Sequence, residues 1–381
     1  MAHDLFDTPE HEIFRETVRK FAEEELAPRA REFDEKGRFD KSLYPKLGEL
    51  GMLGLRYDTR WGGSDLDWSF SAVLYEELVR CDNAGVAMGI GVHADMATPS
   101  LHDFGSDELR ERYLVPAIRG EMIGAIAVTE PDAGSDVARI KTRAVRDGDE
   151  WVINGSKIYI TNAAIADWLC LLVVTDADAG YGGFSQIIVP TDVAGFRYDL
   201  LDKIGVWGSD TGQLFFDDVR VPVSNTIGEI GRGFHQQMMQ FQDERLVVCV
   251  TTISSAWYVW EQTREWAEQR ILFGRPLAKM QVTQFKFVEM LTQLTAAREL
   301  INSCVRKLVA GEDATQMISM AKVFCCRAAF SVADECVQLH GGYGYMKESA
   351  AGRAFVDTRI ACVGGGSDET MKQYLAKQLG F

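Results

Sequence analysis

The spacing of apolar residues changes twice along this 381-residue chain, and few architectures accommodate both changes. In the first third, Ile13, Phe14, Val18, Phe21 and Leu26 recur at helical intervals behind Thr8-Pro9, a suitable N-cap and first helical residue. Asp67 can cap a second amphipathic run through Phe70, Leu74, Glu77 and Leu78. Ser106 can cap a third, which Pro116 should end. From Glu121 to about Gly228 the pattern becomes one of short apolar runs: Ile123–Val128, Lys157–Thr161, Leu169–Val174 and Gln186–Val189. Asp147-Gly148 and Asn154-Gly155 read as turns between such strands. Regular short strands with turn signals predict a small sandwich or barrel rather than a parallel sheet. After Gly233 the helical period returns over about 233–268, 279–310 and 314–340, with a shorter segment after Ser367, as in a helical bundle. The chain therefore reads as α+β, with helical residues 1–120, a β domain at 121–232 and a bundle at 233–381.

A net charge of −16 argues against a nucleic-acid partner and against an anionic membrane surface. The longest apolar region, Leu246 to Trp260, is interrupted by Thr251, Thr252, Ser254 and Ser255, so it reads as a buried helix and not a membrane span. Eight cysteines show no C-x-x-C and no disulfide framework, which fits buried thiols in a reducing cytoplasm. The six histidines lack metal-ligand spacing, and no metal is expected. No targeting segment is visible before the first helix.

No G-x-G-x-x-G follows a predicted strand, and there is no P-loop, G-x-S-x-G or H-E-x-x-H. Three other segments stand out. Thr129-Glu130-Pro131-Asp132-Ala133-Gly134-Ser135-Asp136 follows an apolar strand, and its hydroxyls and backbone N–H groups could hydrogen-bond a polar heterocycle. Tyr159-Ile160-Thr161-Asn162 ends another strand. Gln338-Leu339-His340-Gly341-Gly342-Tyr343-Gly344 ends a helix in glycines suited to a cap or a close backbone approach. Taken singly, each is an ordinary loop or helix end.

Their order carries more than any one of them. Thr-Glu-Pro-x-x-Gly-Ser-Asp is followed by Tyr-x-Thr-Asn, then by Phe216-Asp217-Asp218-Val219-Arg220-Val221-Pro222. Arg270-x-x-Phe273-Gly274-Arg275 and Gln338-x-x-Gly341-Gly342-x-Gly344 complete the series. The series resembles the acyl-CoA dehydrogenase family over nearly the whole chain. That resemblance implies a C-terminal four-helix bundle, non-covalent FAD, an acyl-CoA substrate and a homotetramer built as a dimer of dimers. It also implies an electron-transfer flavoprotein as oxidant. A flavin oxidase or monooxygenase on the same fold, or a scaffold without catalysis, are the alternatives.

Carried over by position, the resemblance puts Val128 and Thr129 against the flavin and Ser135 against the thioester arm. Tyr159, where many relatives have Trp, and Thr161 fall beside the isoalloxazine ring. Arg270, Phe273, Gln281, Gln338, Gly341 and Gly342 fall at the pyrophosphate and adenosine, partly across a subunit boundary. Ser367 and Glu369 stand where Thr and Gln often touch the cofactor, and a Glu369 carboxylate facing a diphosphate would be unfavourable. Gln242 replaces an Asp along the coenzyme A arm.

Dehydrogenation needs a carboxylate at the acyl α-carbon. In many relatives it stands in the C-terminal turn, which here reads Gly364-Gly365-Gly366, with Gly365 at that place. In a branch resembling the isovaleryl-CoA, long-chain and citronellyl-CoA enzymes, it stands on the bundle helix, where this chain has Glu244. Glu244 is a solvated helix residue if read alone and the base within the resemblance. Gly365 keeps a backbone N–H for the thioester oxygen. Arg245 is expected in a structural ion pair, with substrate contact as the second reading. Three glycines in the turn leave room for a 3-methyl branch or a medium-to-long acyl chain.

Overall fold

The computed structural model describes Phe6 and residues 8–381. The first helical section contains α1 (Pro9–Phe21), α2 (Ala30–Lys36), α3 (Tyr44–Glu49), α4 (Trp68–Leu78), α5 (Ala84–Gly91), α6 (Pro99–Phe104), α7 (Asp107–Leu109) and α8 (Val115–Ile118). The expected caps are made: Thr8 accepts from the N–H of His11, Asp67 from Ser69 and Ser106 from Leu109.

The third run does not stop at Pro116. It passes through a π turn at Arg110–Leu114 and continues as α8 to Ile118. Two other π turns, Ala22–Leu26 and Val92–Ala97, also end two residues before a proline, Pro28 and Pro99. A helical proline donates no N–H and its ring crowds the carbonyl four residues back. In all three cases that carbonyl (Glu24, Asp95 or Arg112) lies inside the π turn, where the widened helix relieves the clash. Proline here reshapes the helix and does not end it.

The middle section is one curled seven-stranded sheet. Its strands are β1 (Gly124–Ala127), β2 (Arg143–Asp147), β3 (Glu150–Thr161), β4 (Trp168–Val174), β5 (Phe184–Pro190), β6 (Phe196–Leu200) and β7 (Thr211–Pro222). β5 takes one edge of β4, and β1 and then β2 share the other in parallel; β3, β7 and β6 continue antiparallel. Side chains of β4 alternate by strand geometry. Leu169, Leu171 and Val173 enter the sheet's own core, whereas Trp168 and Cys170 pack on Tyr113, Leu101 and Ala97 of the helical section. Asn154-Gly155 is not a turn: it lies within β3 as a bulge against β7. Gly155 has φ +146°, and a Cβ there would fall 2.5 Å from Thr142 Oγ1, so the glycine serves close approach to β2.

A short hairpin, β8 (Ile271–Leu272) and β9 (Arg275–Pro276), interrupts the last section. The helices there are α9 (Gly233–Gln269), α10 (Gln281–Val309), α11 (Thr315–His340), α12 (Ala350–Ala361) and α13 (Asp368–Gln378). One apolar core joins α1, α4 and α5 to α9, α10 and α11, through Leu74, Leu78, Ile90, Leu246, Val250, Ile253, Leu294 and Ala329. Leu246–Trp260 lies wholly inside α9, and no helix among the described residues is long and apolar enough to cross a membrane. All eight cysteines are free and buried.

Candidate active site

Glu244 stands on α9 where that helix meets three other parts of the fold. One turn earlier, Phe241 packs against the cluster of Val128, Ala133, Ile140 and Leu172, which seats the Thr129–Asp136 loop beside the helix. On the same turn as Glu244 and the next, Arg245 and Val248 border the glycine turn. A Cβ on Gly366 would lie 3.7 Å from Arg245 Nε, and one on Gly365 3.7 Å from Val248 Cγ2. Toward the first helical section, Gln240 Nε2 donates to Glu244 Oε1 at 3.2 Å and also to the carbonyl of Met96.

The carboxylate of Glu244 is buried, with 7% of the residue exposed. Burial in this apolar setting pushes its pKa up to about 8, against the hydrogen bond from Gln240 and the nearby Arg245 charge. Among the described residues no Lys or Arg lies within ion-pairing distance of it. The charge of Glu244 also adds to the burial that pushes the Cys170 thiol of β4 up to about 12.

Arg245 is not in the ion pair expected of it. Among the described residues no carboxylate lies within 4 Å of its guanidinium and its Nε has no hydrogen-bond partner; its cation stands 5.7 Å from the centroid of Phe241. The half-buried site faces the glycine turn, where no acid is present to pair with it. The ion pair of this region belongs to Asp243, two residues earlier: Arg56 donates to Asp243 at 2.9 Å and to Asp95 at 2.8 Å, with its guanidinium 4.2 Å over Trp68. Tyr75 donates to the other oxygen of Asp95.

The loop after β1 is held from beneath. Lys157, wholly buried, donates to the carbonyl of Val128 at 2.8 Å and to Glu130 at 2.9 Å. Glu130 also accepts from the N–H groups of Lys141 and Thr142. The one acid in Thr129-Glu130-Pro131 is thereby turned into the fold, and Thr129 and the exposed Ser135 present neutral hydroxyls outward. Tyr159 is 67% exposed in the left-handed region at φ +62°, two residues before the half-buried Thr161. Hydroxyls and an open aromatic face are a donor set that fits a flavin ring, with the loop's remaining carboxylates, Asp132 and Asp136, exposed.

The remaining candidates gather elsewhere. Trp266 stacks on His340 and Tyr343 at 5.1 and 5.3 Å between ring centroids, and Arg270 stands 6.0 Å over the same indole. Gln338, Gly341 and Gly342 are exposed there, and a Cβ at either glycine would meet nothing within 4 Å. Phe273, 92% exposed, tips the hairpin, and Gln281 opens α10. Arg270 lies 26 residues beyond Glu244 on one helix, roughly 39 Å at about 1.5 Å per residue. Within one chain Glu244 and Arg270 therefore stand near opposite ends of α9.

Ser367 is occupied as the N-cap of α13, its hydroxyl accepting from Thr370, and Glu369 is exposed in the first turn. Gln242 is half-buried with an unpartnered Oε1. Sequence reading missed Gln240, Ser100, Arg56 and Lys322. Gln240 had a signal, since it stands four residues before Glu244 on a predicted helix, where side chains meet.

Three family models match the chain in succession: the N-terminal domain of acyl-CoA dehydrogenase over residues 8–121, the middle domain over 125–219 and the C-terminal domain over 231–380. The long-chain specific acyl-CoA dehydrogenase of Sus scrofa mitochondria is 37% identical over 373 residues, 97% of this chain and 86% of that protein. The crystal structure of an acyl-CoA dehydrogenase from Geobacillus kaustophilus superposes with a TM-score of 0.96 at 37% identity, covering 100% of both chains. A glutaryl-CoA dehydrogenase from Mycobacterium smegmatis, solved in complex with FADH2, superposes with a TM-score of 0.93 at 28% identity, covering 99% of this chain and 96% of that one.

Proposed function

The chain belongs to the acyl-CoA dehydrogenase family, and we propose that it converts an acyl-CoA thioester to the trans-2-enoyl-CoA with Glu244 as the base. The observation that carries this is the placement of Glu244: a buried carboxylate without a paired cation, between the loop after β1 and a C-terminal turn that has no acid. FAD bound beside that loop supplies the acceptor for the hydride leaving the acyl β-carbon.

The residues of the chain divide the remaining tasks. Glu244 takes the α-proton. The N–H of Gly365 meets the thioester oxygen and stabilises the enolate-like charge that grows there. Arg245, lacking a protein carboxylate, faces the same turn and adds positive potential. Ser135 and Gln242 meet the thioester arm. Val128, Thr129, Tyr159 and Thr161 hold the flavin ring. Arg270, Phe273, Gln281, Gln338, Gly341 and Gly342 hold the far end of a cofactor shared with a second chain, because one chain separates the two groups along α9. Glu369 does not face the diphosphate, since its carboxylate would repel it, and Ser367 acts there through the helix it caps.

Two chains sharing each cofactor fit a homotetramer assembled as a dimer of dimers. The electron acceptor is an electron-transfer flavoprotein. The eight buried free thiols suit a reducing bacterial cytoplasm. With three glycines where other members carry the acid, the substrate is a 3-methyl-branched or a medium-to-long acyl thioester. The deciding experiment is anaerobic flavin bleaching across a panel of straight and 3-methyl acyl-CoAs, with wild type beside Glu244→Gln. The variant should keep FAD and bind thioester, yet reduce at least ~10²-fold more slowly. Near wild-type reduction would move the base elsewhere.

A further inference from the structure

We infer that Gln240 is the positioning residue of the base, and that Ser100 and the carbonyl of Met96 lock it in that role. The inference rests on the reading of Glu244 as the base and deepens it.

A glutamine amide can point either way, and only one orientation offers N–H groups to a carboxylate. Here both ends are fixed. Ser100 of α6 donates its hydroxyl to Gln240 Oε1, and the amide nitrogen donates to the carbonyl of Met96 as well as to Glu244. Ser100, Gln240 and Glu244 are 2%, 4% and 7% exposed, so water does not compete for these bonds. The acceptor at Met96 belongs to the π turn Val92–Ala97, where Pro99 supplies no N–H and the loosened carbonyls take side-chain donors. Thr98 Oγ1 lies 3.1 and 2.8 Å from the carbonyls of His93 and Ala94. Gln240 therefore spends one N–H on the π turn and the other on the base.

Among the described residues no other hydrogen bond reaches the Glu244 carboxylate. The charged and titratable groups around it are otherwise committed or of small effect. On its own helix, Asp243 is paired to Arg56, and Arg245 faces the glycine turn. On the π turn, Asp95 is bonded to Arg56 and Tyr75, and His93 is held between the N–H of Gly124 and the carbonyl of Ala117. On β4, Cys170 is a buried neutral thiol. With the Arg245 charge as the smaller contribution, the Gln240 bond is thus the hydrogen bond that favours the ionised base over the protonated one, and it fixes which carboxylate oxygen remains free for the α-proton.

The test is Gln240→Leu, which keeps the volume and removes the donor. Flavin reduction is followed against pH with the thioester that bleaches wild type fastest in the panel. In parallel, infrared spectra titrate the buried carboxylic acid band, assigned by its absence in Glu244→Gln. The expected result is normal FAD content, with both titrations moved up by about one pH unit or more. Reduction at pH 7 should fall about tenfold and recover toward high pH. Ser100→Ala, which leaves α9 untouched, should move both titrations the same way by less, and it decides the matter if Gln240→Leu fails to fold. An unshifted profile beside an inactive Glu244→Gln overturns the inference and leaves the base in place. Ordinary reduction by Glu244→Gln overturns both.

Discussion

The ammonium of Lys322, fully buried on α11, donates to the carbonyl of Gly366 at 3.2 Å and also to that of Ala361. One cation thus ties the end of α12 to the glycine turn, and no side-chain acid takes part. Its Cε would lie 3.6 Å from a Cβ at Gly365.

Lys322→Met fills similar space and strands two carbonyls. A buried acceptor left without a donor costs about 1–3 kcal/mol. Chemical denaturation should show a loss of that order. The glycine turn should also loosen, so kcat should fall while FAD content stays near wild type, measured from the flavin absorbance per chain.

Gly365→Glu restores an acid where other members of the family carry it. Gly365 has φ +65°, which costs a non-glycine residue about 1–2 kcal/mol. A Cβ there meets only ordinary contacts at 3.6 and 3.7 Å, so the variant should fold with lowered stability. The longer side chain then occupies space beside the reacting carbons. kcat/KM should fall more for 3-methyl than for straight-chain thioesters; an equal fall would leave the turn without a role in branching.

Glu244 is held near pKa 8 by burial, above its ordinary value. Below the ordinary carboxylate pKa both folded and unfolded chains are protonated, and its contribution to stability is at its maximum. As pH rises toward 8 the unfolded chain ionises first, so that stability is lost. Glu244→Gln should therefore raise Tm at pH 8 by a few degrees and hardly change it at pH 4. Thermal unfolding at the two pH values, with identical FAD loading, measures the difference.

Arg270→Ala removes a cation from the group about Trp266 without touching the Glu244 region. A ligand that spans two chains stabilises the assembled state. FAD content and oligomer size should fall together in gel filtration, and added FAD should restore size. A fully loaded, unchanged oligomer would place Arg270 outside the cofactor site.

Much of this architecture was legible because periodicity reports burial directly. α9 to α11 and strands β4 and β5 follow their apolar spacing, and the caps at Thr8, Asp67 and Ser106 use their usual chemistry. The misreadings were local signals overruled by context. Asn154-Gly155 has the composition of a turn, but pairing with β7 and crowding by Thr142 make it a bulge. Pro116 has the meaning of a stop, but a π turn absorbs it. Arg245 lacks its expected ion pair because it faces a glycine turn without an acid, while the ion pair of the region joins Arg56 to Asp243 across 187 residues, a pairing that no short-range pattern encodes. The same holds for Ser100 and Gln240, whose meeting depends on how two sections pack.

The three π turns set the phase of the helices that follow them. Each accommodates one residue more than an α-turn, and one residue is roughly 100° of rotation about a helix axis. A single deletion within Val92–Ala97 would let the segment relax to an ordinary helix and turn α6 by about that angle. Ser100 would swing away from Gln240, and Leu101 or its neighbours would meet an amide with apolar surface. An insertion or deletion in a segment that contributes no catalytic group would then shift the titration of Glu244 from a distance. Length changes there should be rejected more strictly than substitutions.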